Sequence, residues 1–106
     1  MSQGQERKSG QQDESLWAEL NSQTARISWQ ELEKHFARGV LVTVSPEMDL
    51  VEVAINMVRD NSGAIQDWMR EGKVLRATDE HALAWSKPGA ELWAVVAAPW
   101  VLVQQR

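Results

Sequence analysis

The chain has 106 residues, of which 43% are apolar and 25% charged, with no cysteine and a formal net charge of −4. This length supports one small domain, and the lack of thiols excludes disulfides, thiolate metal sites and a cysteine nucleophile. Acids outnumber bases and the Lys and Arg residues are scattered, which argues against nucleic acid and against an anionic membrane surface as partners.

Residues 1–14 are polar, rich in Gln, Gly and Ser. They are expected to form a disordered tail, leaving 15–106 as a single globular domain. They lack an apolar signal core, and no apolar run reaches the roughly 18–20 residues that span a bilayer. A cytoplasmic location is expected.

Leu16, Trp17, Leu20 and then Thr24 or Ala25 fall at helical spacing. A second helix is better punctuated. Ser28 and Glu31 form a capping-box pattern, Trp29, Leu32, His35 and Phe36 recur at steps of three and four, and Gly39 is placed to stop the helix in a left-handed conformation. Val40 to Val44 is short, β-branched and apolar on both faces, and predicts a buried strand ended by Ser45-Pro46.

Asp49 is placed to cap a strongly amphipathic helix, in which Leu50, Val53, Ala54, Met57 and Val58 form the inward stripe. Asn61 or Ser62 starts the next helix, with Ile65, Trp68 and Met69 facing inward and Gly72 ending it. Lys73 to Ala77 predicts a short strand. Thr78 or Asp79 starts a helix through Ala82, Leu83 and Trp85. Leu92 to Val103 is nearly all apolar, yet Pro99 lacks the N–H that a central ladder needs. The segment is therefore either two strand pieces joined at a bulge or bend, or one strand with an edge facing solvent at Pro99.

The expected architecture is a single α/β domain, with α+β as the alternative. A small three-stranded mixed sheet is covered by about five helices, with at least one parallel pairing.

Trp29-x-Glu31-Leu32, Gly39, Val44-Ser45-Pro46, Asp49-Leu50-Val51-Glu52-Val53, Asp60-Asn61, Trp68, Trp85 and Pro99-Trp100-Val101-Leu102-Val103-Gln104 resemble the pattern of a family of small bacterial proteins. It is the domain of unknown function numbered twenty-two eighty-eight. The resemblance runs from about Leu16 to Gln104. Met48 and Trp100 stand where some relatives carry Leu and Tyr, changes that leave the apolar pattern intact. The resemblance implies a bacterial cytoplasmic protein and brings no reaction, cofactor or catalytic residue.

Two features stand out as candidate sites. Glu47, Asp49 and Glu52 surround the junction of a strand end and a helix start, where oxygen ligands for Mg²⁺ or Ca²⁺ could gather. Caps and dipole-complementing acids are expected at the same positions on stability grounds alone. His35 and His81 lie on different helices without zinc-helix spacing. Phosphate-loop and dinucleotide fingerprints are absent, as is a nucleophile elbow.

The second feature is the tryptophan content. Six tryptophans, against one Phe and no Tyr, supply most of the aromatic volume, and so many indoles are hard to enclose in a domain this small. Trp93 and Trp100, flanking Pro99, are the candidates to line an interface. The sequence thus points to a non-enzymatic binding or interaction domain without a cofactor, able to pair with itself as a homodimer or with another protein. The alternative is a small enzyme or metal- or ligand-binding protein using Glu47, Asp49 and Glu52.

Overall fold

A computed structural model of the protein describes residues 14–106. Residues 1–13, most of the expected tail, lie outside the described residues. The elements run α1 (14–23), β1 (Ala25–Arg26), α2 (Trp29–Ala37), β2 (Leu41–Val44) and α3 (Leu50–Val58). They continue with α4 (Ser62–Arg70), β3 (Val74–Arg76), α5 (Asp79–Trp85), β4 (Leu92–Ala97) and β5 (Trp100–Gln105). The fold is α+β, and no described helix is long and apolar enough to cross a membrane.

The five strands form one mixed sheet in the order β1-β4-β5-β2-β3. The expected parallel pairing joins β2 to β5, with Leu41 opposite Val101 and Thr43 opposite Val103; the other neighbours are antiparallel.

Five strands replace the expected three for two physical reasons. First, Leu92–Val103 divides into a hairpin whose two-residue turn is Ala98-Pro99, with a cis peptide between them and Ala97 opposite Trp100. Pro99 therefore sits outside the ladder, where its missing N–H costs nothing. The C-terminal strand is central, between β4 and β2, and is not an edge. Second, the first helix does not continue into Ala25. Thr24 closes it, its Oγ1 donating to the Leu20 carbonyl at 2.8 Å, a local bond that competes with helix propagation. Ala25 and Arg26 then pair with Ala94 and Trp93.

Alternation along each strand divides the core between the two sheet faces. On one face, Leu50, Val53 and Ala54 of α3 and Leu20 of α1 pack against Val42, Val44, Val74, Val95 and Leu102. On the other, Leu32 of α2 and Trp85 of α5 pack against Leu41, Leu92, Ala94, Val101 and Val103. Trp85 is almost fully buried, and tilted ring contacts tie it to Trp29 at 6.3 Å and to His81 at 5.5 Å.

The helix boundaries follow their caps. Asp49 Oδ1 accepts from the amides of Val51 at 3.0 Å and Glu52 at 3.4 Å, and Ser28 Oγ accepts from Glu31 N. A reciprocal capping box forms at α5, where His81 Nδ1 accepts from the Thr78 amide at 3.0 Å and Thr78 Oγ1 accepts from the His81 amide. Gly39 and Gly72 follow α2 and α4 at positive φ, 73° and 75°, where a Cβ would be strained. After α3 the same left-handed role falls to Asp60, at φ 57°, one of the few non-glycine types that tolerates it.

The apolar stripe of α3 is only partly inward. Leu50, Val51, Val53 and Ala54 are buried, whereas Met57 is half-buried and Val58 exposed. In α4 the expected inward set of Ile65, Trp68 and Met69 is not enclosed either, and no residue of that helix is fully buried.

Candidate functional site

The junction between β2 and α3 is shaped from beneath by a buried amide. Ser45 and Met48 close a turn, Met48 N donating to Ser45 O at 3.0 Å. Both carbonyls also accept from Gln104 Nε2, each at 2.8 Å. Gln104 is 1% exposed and fully satisfied, its Oε1 accepting from Arg106 Nε. Asp49 is committed to the first turn of α3, while Glu47 and Glu52 are exposed. Among the described residues, no group of three or more His, Asp or Glu is placed to hold a metal ion.

A cleft of about 270 Å³ does lie beyond the carboxyl end of β2. Ser45, Pro46, Lys73, His81 and Trp85 contribute to its wall, but Glu47, Asp49 and Glu52 do not. Lys73 Nζ is 2.9 Å from Glu71 Oε2. The hydrogen bond and charge of Glu71, with a smaller contribution from Glu47, hold the Lys73 ammonium above the usual lysine range. His81 is tied to its own cap, and His35, on α2, borders a different cleft near β1.

The tryptophan candidates stand on one face of the hairpin but at opposite ends. Trp93 pairs across to Gln104, and Trp100 lies opposite Ala97 beside the turn that Pro99 forms. Both are half-buried and packed against the α3-side core. Each carries a guanidinium over its ring, Arg106 at 4.8 Å and Arg26 at 5.8 Å for Trp93, and Arg76 at 5.2 Å for Trp100. Pro99 is exposed at the turn. The most open of the six indoles is Trp17, 45% exposed on α1.

Trp100 differs from Trp93 in what lies beside it. A groove of about 300 Å³ lies between α4 and the sheet, and Trp100, Met57, Ile65, Met69, Asp60 and Arg76 are among the residues that line it. Met69 is 46% exposed. Arg76 makes its ring contact with Trp100 and no ion pair among the described residues, and Asp60 makes none either. Sequence spacing conceals this groove, because helical periodicity assigns Ile65, Met57 and Met69 to a core without showing how far α4 stands from the sheet. The one legible signal is a pair of apolar stripes, on consecutive helices, too many for a single short strand to cover.

The family model described as protein of unknown function (DUF2288) matches residues 15–105. The chain is also similar to PA1075 from Pseudomonas aeruginosa, known from an NMR solution structure. The two share 40% identity and a TM-score of 0.77, over 87% of this chain and 85% of that one. No functionally curated protein is detectably similar.

Proposed function

The chain belongs to the DUF2288 family of proteins of unknown function, and from its geometry we propose that it is a non-enzymatic binding domain whose contact surface is the groove at Trp100. One observation carries this reading. Helix α4 places Ile65, Trp68 and Met69 at i, i+3 and i+4; Trp68 is half-buried against the core, but Ile65 and Met69 line the groove, and Met69 is left 46% exposed among the described residues. An apolar helical stripe is favourable only when covered, and burial of such surface contributes roughly 25 cal/mol per Å². Methionine side chains adapt to varied partner shapes, and Trp with Arg is the pairing enriched at contact centres. Of the three residues expected at an interface, Trp100 lines this groove, whereas Pro99 is its exposed neighbour at the hairpin turn and Trp93 stands at the far end of the hairpin. The acidic, cysteine-free composition supports a cytoplasmic setting for this role.

The test uses anilinonaphthalene sulfonate, whose apolar rings suit the groove and whose sulfonate suits Arg76. The full chain is expected to enhance its fluorescence, and Met69→Gln and Trp100→Ala to reduce that enhancement severalfold. Met69→Gln changes an exposed side chain, so the folded state is preserved even if Trp100→Ala is destabilised. Enhancement unchanged in a folded Met69→Gln variant counts against the groove.

A further inference from the structure

We infer that Met69 is a redox-modification site: hydroperoxides oxidise its thioether to the sulfoxide ahead of the other described methionines, and the sulfoxide lowers the affinity of the Trp100 groove for apolar groups without unfolding the domain. This rests on the groove reading and adds its regulation. The chain has four methionines and no cysteine, so thioethers are its only sulfur centres and no thiol competes for an oxidant. Met1 lies outside the described residues. Met48 and Met57 are half-buried and packed against the α3-side core. Met69, on α4, is 46% exposed. A peroxide must reach the sulfur lone pair to react, and Met69 is the described methionine that water already reaches most freely.

The step balances with the hydroperoxide as oxidant. The sulfur lone pair attacks a peroxide oxygen, the S–O bond forms as the O–O bond breaks, and after one proton transfer water or an alcohol leaves. Sulfur loses two electrons and the peroxide gains them. The product replaces a flexible apolar side chain with a polar, chiral one. A thioether adapts its shape to apolar groups, whereas a sulfoxide in the same wall presents an oxygen that an apolar group would desolvate without replacing its hydrogen bonds, which is unfavourable. The folded chain tolerates the change at Met69, because the new oxygen stays in contact with water. Met57 lines the same groove but packs on the core, where the same oxygen would disrupt packing. Methionine sulfoxide reductases, one for each sulfoxide epimer, restore the thioether, so the modification is reversible.

The experiment treats the full chain with hydrogen peroxide and follows two readouts over time. Tryptic mass mapping reads oxidation site by site, because residues 60–70 form one tryptic peptide whose single methionine is Met69. Anilinonaphthalene sulfonate fluorescence, taken after the peroxide is removed, reads the groove. Met69 is expected to oxidise severalfold faster than Met48 and Met57. Dye enhancement is expected to fall severalfold in step with it, the thermal melt to stay cooperative, and the two reductases together to restore the enhancement. Met69→Leu keeps an apolar wall and the other three methionines, and its enhancement is expected to survive the same treatment. Oxidation of Met48 or Met57 as fast as Met69 overturns the inference. So does full enhancement from a chain fully oxidised at Met69, a cooperative melt lost on oxidation of Met69 alone, or an equal loss of enhancement in peroxide-treated Met69→Leu. If peroxide leaves dye binding intact while Met69→Gln lowers it, the inference about oxidation falls and the groove reading stands. If Met69→Gln leaves dye binding unchanged, the groove reading itself falls and the inference with it.

Discussion

Gln104 holds Met48 in place: its Nε2 donates to the Met48 carbonyl at 2.8 Å and, at the same distance, to the carbonyl of Ser45. A single side chain on the central strand thereby satisfies two carbonyls of the turn that delivers Asp49 to its capping position. Buried amides of this kind are costly to remove because their partners stay behind without hydrogen bonds.

Gln104→Met keeps the volume and removes both donors. It is expected to cost about 1–3 kcal/mol of stability, read as a lower urea midpoint at unchanged slope. Gln104→Glu places a carboxylate against the same two carbonyls and is expected to be worse still. A Glu variant as stable as wild type would remove Gln104 from this role.

Asp49→Ala tests what the carboxylate at the start of α3 does. Loss of an N-cap costs roughly 1 kcal/mol. If Asp49 acts as a cap, that loss is the same with and without millimolar Mg²⁺ or Ca²⁺ in thermal melts. A metal-dependent difference that disappears in Glu47→Gln and Glu52→Gln would instead assign the acids to a cation.

The capping box of α5 makes a local prediction. Thr78→Ala and His81→Ala each remove one of the two reciprocal bonds, and each is expected to cost roughly 0.5–2 kcal/mol. Hydrogen exchange is expected to accelerate at the His81 amide in Thr78→Ala and at the Thr78 amide in His81→Ala. Uniform acceleration across the sheet, with no local excess, would contradict the assignment.

The core predicts a contrast between two leucines. Leu102 is fully buried on β5 and Leu83 is 67% exposed on α5. Leu102→Ala is expected to cost about 2–5 kcal/mol, and Leu83→Ala to stay within about 0.5 kcal/mol. Urea unfolding of the two variants separates the outcomes, and comparable losses would mean that α5 packs more closely than its exposure indicates.

Much of this architecture is legible in the sequence because local signals and tertiary structure agree. Asp49, Thr78 and Ser28 cap the helices that they precede, and Val40 to Val44 contains a buried central strand. Legibility fails where long-range pairing decides. Nothing local announces that Ala25 and Arg26 will leave a helix to pair with β4, and β-branched Thr24 is the one clue. Pro99 is legible as incompatible with a ladder. That its neighbours fold into a hairpin at the centre of the sheet depends on β2 lying parallel beside β5. Gln104 reads as the polar end of an apolar strand, and only the turn of Ser45 and Met48 above it reveals its use. The groove is hidden for a related reason, since periodicity distinguishes an apolar face from a polar one but does not say whether the chain covers it.

The most direct test of the groove as the contact surface is an amide and methyl NMR spectrum of the labelled chain titrated with anilinonaphthalene sulfonate. Shift changes are predicted to concentrate on Met57, Ile65, Met69 and the Trp100 indole, with the sheet's other face silent. Changes centred instead on Ser45, Lys73 and His81, or spread over both faces, would contradict it.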